Sequence, residues 1–286
     1  MGLQTAIAIA LELVSTTLVN LAYVRERGAA AALPSLSFRR PLRSLRLLLT
    51  DRKWLGGFGL ETGGFALYVA ALALASLAVV QSVGAGGLGV LAYASARATG
   101  RRIGRRELLG VAVSVLGLVA LALSLISSGG GSAEGSTTAI VLWLAASAAI
   151  ALFAIRYGKR FIGAAAADGI AGGLLFSIGD ISTKLTTQGG VRFAFVIGLV
   201  AGYALGTSLL QLGYQRGGAL MVAGVATLLT NALPIAAATI VLHEPVPSGL
   251  LGVLRVFAFA AVTVGAIALA RPAPGAGRPS ERSGER

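Results

Sequence analysis

Long apolar runs alternate with short basic ones along most of the chain. Residues 54–96 show the pattern most plainly. They follow Arg52-Lys53, end at Arg97 and hold one formal charge, Glu61. A bilayer core takes about 20 apolar residues per helix, so this stretch predicts two spans joined by a tight turn. The same pattern predicts helices over residues 3–24, 54–75, 77–96, 108–126, 138–155, 161–183, 193–212, 219–242 and 249–270. Residues 42–49 set Arg43 and Arg46 among leucines. Such a segment either lies along an anionic headgroup surface or forms a solvated loop. Residues 127–137, rich in Gly and Ser, read as a flexible external linker near mid-chain. The tail 271–286 is polar, rich in Pro and Gly, and reads as disordered. The expectation is an all-α polytopic membrane protein of nine spans, with residues 1–270 as one transmembrane domain.

Charge placement orients the bundle. With nine spans, 21 of the 24 Lys and Arg residues fall in segments on one side. The positive-inside rule makes that side the cytoplasm, which puts the N-terminus outside and the C-terminus inside. Met1 to Thr5 carry no positive side chain and Glu12 interrupts the first run, so residues 3–24 read as a retained helix rather than a signal peptide. The Ala, Gly and Arg bias fits a bacterial plasma membrane.

Composition agrees. Of the residues, 56% are hydrophobic and 12% charged, about half the charge of a soluble domain. A net charge of +13 in loops between apolar spans points to the lipid bilayer as partner, not to nucleic acid. There is no cysteine and one histidine, His243, so thiolate chemistry is excluded and a histidine metal cluster with it. No nucleophile–base spacing argues for an intramembrane enzyme. Gly84 to Gly89 match the dinucleotide fingerprint, but inside an apolar span rather than a strand–turn–helix.

Ionisable groups at bilayer depth cost about 2.5–3.5 kcal/mol on insertion scales, so they face the bundle interior or a wet cavity. Glu12 lies near the middle of the first helix. Glu61 lies seven residues into the second, roughly 10 Å from its inner end. Either acid suits a cation ligand or proton carrier, or a buried acid that fixes packing. Asp180 and Lys184, four apart, share a helix face and are placed to pair. Arg255, inside the last helix, reads as a snorkelling side chain or a counter-ion to one acid. Asp168 is placed to reach the inner interface. Pro234 leaves the carbonyl of Thr230 without its helical partner. With Asn231 beside it, that kink is either a substrate site or an ordinary bend filled by a neighbour. Gly198, Gly202 and Gly206 predict close helix contact.

Leu108-Leu109-Gly110-Val111 and Leu250-Leu251-Gly252-Val253 open the fourth and ninth helices, five spans apart. An odd separation makes the two copies antiparallel. Inverted repeats of this kind mark many secondary transporters, whose site lies where the halves meet.

Several runs resemble the drug/metabolite transporter superfamily, and within it the NIPA-like magnesium transporters. Gly59-Leu60-Glu61 followed by Phe65-Ala66-Leu67-Tyr68-Val69-Ala70 is similar to the NIPA Gly-x-Glu and Asn-Phe-x-x-Tyr-x-x-Ala run, with Gly64 in place of Asn. Residues 75–85 resemble the family's third helix, with Ser82 where Pro is usual. Ser177-Ile178-Gly179 with Lys184, and Leu242-His243-Glu244, resemble further family runs. The acid usual after the third helix falls on Arg101 or Arg102. The resemblance implies a bundle of two inverted halves working by alternating access. It implies Mg²⁺ as transported substrate, with Glu61 and Glu12 as its metal ligands. An EamA-like proton-coupled exporter of a small metabolite or drug is the alternative, with Glu61 as coupling acid. A non-transporting membrane scaffold subunit is the third. A homodimer is compatible with each.

Overall fold

The computed structural model describes residues 3–74, 80, 83–84, 86–100, 104–123, 136–187, 189–241 and 249–270. Among the described residues the regular structure is helical, without a strand. Helix α1 runs over Leu3–Ala32, α2 over Pro41–Thr50 and α3 over Arg52–Leu74. Next come α4 over Gly87–Thr99, α5 over Arg105–Leu123 and α6 over Thr137–Phe153. The rest are α7 over Ala164–Thr187, α8 over Val196–Tyr214, α9 over Ala219–Ile240 and α10 over Leu250–Ala270. The expected linker 127–137 and tail 271–286 lie outside the described residues except for Ser136 and Thr137. So do His243, Glu244, Arg101 and Arg102, and most of residues 75–85.

Five of these helices are long and apolar enough to cross a membrane: Ala6–Ala32, Thr137–Ile162, Ala164–Thr186, Gly190–Tyr214 and Leu250–Leu269. Ala219–Pro234 adds a shorter apolar helix. Burial separates inner from outer. About 72% of the α7 span is buried, against 20–33% of the other four. The outer helices expose large apolar side chains, such as Leu142, Ile150 and Phe153 on α6 and Val256, Phe257 and Val264 on α10. An apolar outer surface of this extent suits hydrocarbon rather than water. The chain is an all-α protein built for a membrane.

Several helix ends differ from the sequence expectation. α1 continues about two turns past Val24, through Arg25, Glu26 and Arg27. Those charges did not end the helix because Glu26 is buried against its neighbours rather than solvated. α6 does not stop at Ile155. It passes through a widened π turn, Ala154–Gly158, and a last turn, Lys159–Ile162. Gly163, at φ 85°, then breaks the chain direction before α7. Positive φ strains any residue with a Cβ. A 3₁₀ segment, Gly190–Phe195, leads into α8.

Close contacts at glycines fix the helix directions. On α3, Gly57 abuts Glu26 and Ala22 while Gly64 abuts Val19 and Ser15, so α1 and α3 run antiparallel. Gly84 lies by Glu12 and Gly87 by Thr16 and Asn20, so the segment leading through α4 runs parallel to α1. α7 repeats the scheme. Gly198 meets Ser182 and Gly206 meets Phe176, making α7 and α8 antiparallel. Gly169 meets Val222 and Gly173 meets Ala226, making α7 and α9 parallel. Finally α5 and α10 pair antiparallel, with Gly110 on Leu269 and Gly117 on Val262. Each central helix thus has an antiparallel second helix and a parallel third.

The short helix α2 is amphipathic. Leu48 is buried, while Leu42, Leu45 and Leu49 are exposed together with Arg43 and Arg46. Trp54, Leu36, Ala29 and Leu212 complete the small core beneath it.

Candidate functional site

Two buried polar clusters lie along α1. Glu12 and Glu26 are fourteen residues apart, four turns on nearly the same helix face. The rise of 1.5 Å per residue separates them by about 21 Å.

The cluster at the basic end joins α1, α3 and α8. Glu26 is 1% exposed and lies side by side with Glu61, close enough for the two carboxyls to share a hydrogen bond. Gly57, one turn before Glu61, makes the room, since a methyl there would stand 2.7 Å from Glu26 Cγ. Gln211 donates from Nε2 to Glu26 Oε2 at 2.5 Å. Four further oxygens are buried without a hydrogen-bond partner: Glu26 Oε1, Glu61 Oε2, Gln211 Oε1 and Tyr214 Oη. Two carboxylates side by side cannot both stay ionised without cost. A pair of this kind is suited to a shared proton or a cation, and among the described residues no basic side chain forms an ion pair with either carboxyl. Hard cations take all-oxygen ligation of this sort.

The second cluster lies where α1, α7, α8 and α9 meet. Glu12 is 4% exposed, Asn231 6% and Asp180 9%. Ser15 donates its hydroxyl to Glu12, and Tyr203 donates its hydroxyl to Asp180 Oδ1. Glu12 Oε2 and Asp180 Oδ2 are buried and unpartnered. Asn231 donates from Nδ2 to the Thr227 carbonyl at 2.7 Å, which leaves its Oδ1 facing Gly84 beside Glu12 Oε1. Thr16 donates from Oγ1 to the Gly84 carbonyl at 3.2 Å. Tyr203 packs edge-on to Phe65, with ring centroids 5.0 Å apart, and against Phe176.

The expected site residues divide between these clusters. Glu12 and Glu61 do not come together, since four turns of α1 lie between their clusters, too far for one metal ion. Asp180 receives its hydrogen bond from Tyr203, while Lys184 sits half-buried one turn further along α7. α9 continues as a helix through Pro234. Thr230, at the carbonyl that Pro234 leaves free, also has a buried Oγ1 without a partner. Arg255 falls on α10, and its side chain lies outside the described residues. Asp168 reaches the turn between α8 and α9, where it forms an ion pair with Arg216. Among the described residues no three His, Cys, Asp or Glu side chains gather as a metal group.

Sequence reasoning missed Glu26 and Gln211. Glu26 hides among Arg25 and Arg27 and reads as a loop charge. Its heptad spacing to Val19 and Glu12 was the available signal. Gln211 carries no charge and sits in an apolar run.

The same end holds a clamp. Gln215, in the turn between α8 and α9, donates from Nε2 to the carbonyls of Ala30 (2.9 Å), Leu33 and Pro34 (both 3.2 Å). Its Oε1 accepts from the Leu36 amide at 2.9 Å. Arg27 donates from Nε to the Gly217 carbonyl at 3.3 Å.

Comparison with protein-family models, with curated proteins and with solved structures found no match for this chain.

Proposed function

We propose that this protein is a secondary transporter that works by alternating access, with the Glu26–Glu61 pair as its ion-coupling element. The carrying observation is two facing carboxyls between α1, α3 and α8, each with a buried oxygen that no group among the described residues satisfies. A passive scaffold has no use for such a pair. Apolar replacement of buried ionic groups is often neutral or stabilising. The parallel schemes around α1 and α7 and the antiparallel α5–α10 pair support two inverted halves. They agree with the drug/metabolite transporter resemblance and with a nine-span arrangement whose basic loops face the cytoplasm of a bacterial cell. On the first reading the pair carries a proton that exchanges for a small solute.

A second reading has the pair bind a divalent cation as cargo, Mg²⁺ in the NIPA manner. The unpartnered Gln211 Oε1 and Tyr214 Oη beside the carboxyls favour it. Mg²⁺ keeps several waters and needs only one or two protein carboxylates.

Proteoliposomes containing a trapped pH-sensitive dye test both. Small solutes added outside should move protons in the wild type for at least one solute class, and this movement should vanish in Glu61→Gln and Glu26→Gln. Saturable Mg²⁺ uptake without solute-driven proton movement would establish the second reading instead. Neither activity from folded protein would leave the scaffold.

A further inference from the structure

We propose that α2 is an interfacial helix whose outer face docks on anionic phospholipid, with its leucines in the acyl boundary and its arginines on the phosphate headgroups. This goes beyond the carrier reading and requires only a membrane-embedded chain. Packing sets the depth of α2. Leu48 is buried in one small core with Ala29, Trp54 and Leu212. Ala29 lies in the last turn of the span Ala6–Ala32, and Leu212 in the last turn of the span Gly190–Tyr214. α2 therefore sits at the level where two spans leave the hydrocarbon. Its place in the chain agrees, since a single residue, Asp51, separates it from α3.

The three faces of α2 differ. Ser44, Leu47 and Leu48 share the face turned to the protein. Leu42, Leu45 and Leu49 form a second stripe, within about 60° of one another at 3.6 residues per turn. They are 81%, 50% and 48% exposed. Arg43, Arg46 and Thr50 form a third stripe beside it, also exposed. Leucines and arginines on adjoining faces match the boundary between acyl chains and headgroups. The face is held outward at both ends. Ser44 Oγ accepts from the Ser37 amide at 2.9 Å and donates to the Ser37 carbonyl at 3.2 Å. Asp51 Oδ1 accepts from the Trp54 amide at 2.7 Å, which fixes the corner into α3. Charge selects the lipid. Arg39, Arg40, Arg43, Arg46, Arg52 and Lys53 are all exposed on or beside α2, and among the described residues none of them forms an ion pair. Asp51 is the one acid in that stretch. Guanidinium groups bind phosphate through paired N–H donors, and a basic cluster beside a span favours an anionic leaflet.

The chain has no cysteine, so one introduced cysteine carrying a nitrobenzoxadiazole dye reports one position. Leu45→Cys and Thr50→Cys are made in the full chain and reconstituted in vesicles of equal parts phosphatidylcholine and phosphatidylglycerol. Lipid spin-labelled near the headgroup quenches from the bilayer, and iodide on both sides quenches from water. Lipid quenching should be at least twofold stronger at position 45 than at position 50, with iodide giving the reverse order. Spin-labelled phosphatidylglycerol should quench position 45 at least twofold more than the same fraction of spin-labelled phosphatidylcholine. Arg43→Gln with Arg46→Gln, both at exposed side chains, should at least halve that preference without lowering the melting temperature. Equal lipid quenching at the two positions, or stronger iodide quenching at position 45, would make α2 a solvated helix and overturn the proposal. Equal quenching by the two lipids, or a preference undiminished in the double variant, would overturn it as well. None of these results bears on the carrier reading, which solute-driven proton movement decides separately.

Discussion

Gly202→Ala should destabilise the bundle through a single methyl group. A Cβ at this position would stand 2.6 Å from the Leu175 carbonyl oxygen and 2.7 Å from the Gly179 nitrogen. Both are backbone atoms, so no side chain can turn aside. An ordinary contact begins near 3.4 Å, so α8 must retreat from α7 by about 0.8 Å, and a gap of this size forfeits about a quarter to a half of each dispersion contact. Overpacking of this kind costs about 1–3 kcal/mol. At about 2–4 °C per kcal/mol the melting temperature should fall by about 2–12 °C. Intrinsic fluorescence of the two tryptophans, Trp54 and Trp143, reads the transition in detergent. The control is Gly59→Ala, where nothing lies within 4 Å. In a helix that change should be neutral or up to about 1 kcal/mol stabilising. A Gly202→Ala protein that melts with the wild type, or an equal loss in Gly59→Ala, would refute the close backbone seam. Retreat of α8 also carries Tyr203, the next residue, away from Asp180.

Three further outcomes follow from the buried polar groups. Arg216→Ala leaves Asp168, 1% exposed, without its ion-pair partner; the expected cost is about 2–3 kcal/mol, toward or below the low end for buried pairs because Arg216 is 35% exposed. Adding Asp168→Asn should recover part of that loss in a double-mutant cycle followed by thermal unfolding. Tyr203→Phe removes one hydroxyl without changing ring packing and takes from Asp180 Oδ1 its buried donor, so it should cost about 1–3 kcal/mol, read as a lower melting temperature. Gln215→Ala removes four hydrogen bonds between the α8–α9 turn and the end of α1. A single cysteine placed at Ser35 should then react faster with a membrane-impermeant maleimide, and an unchanged rate would show that Gln215 does not hold that end closed.

Much of the fold was legible because membrane helices declare themselves by length. The apolar runs located most of the described long helices to within a few residues, but α4 begins ten residues later than expected, α1 runs on past Arg25 with Glu26 buried, and α6 runs on past Ile155 with its charges exposed. The Gly198–Gly202–Gly206 stripe named the α7–α8 seam, since small residues four apart leave a groove only another backbone can fill. The repeat of Leu-Leu-Gly-Val found two helices that pair antiparallel. The sites were less legible. Glu12, Glu61, Asp180 and Asn231 stood out as polar residues in apolar runs. Which of them would meet depended on packing between helices far apart in sequence, and spacing along one helix carries no such information. Asp180 and Lys184 share a face, yet the hydrogen bond to Asp180 comes from Tyr203 on another helix. Glu26 was hidden because flanking arginines give a buried acid the appearance of a loop.

Helix α1 is one uninterrupted rod of 30 residues, and that continuity ties the two clusters mechanically. A rod pivoting about its middle moves its ends in opposite senses. With the acids about 21 Å apart, a tilt of about 10° shifts each by nearly 2 Å, one toward its neighbours and the other away. Glu26 closing on Glu61 would then coincide with Glu12 withdrawing from Asn231, and the reverse. Such a seesaw would oppose simultaneous closing of both clusters without any chain of contacts between them, through the stiffness of the rod alone.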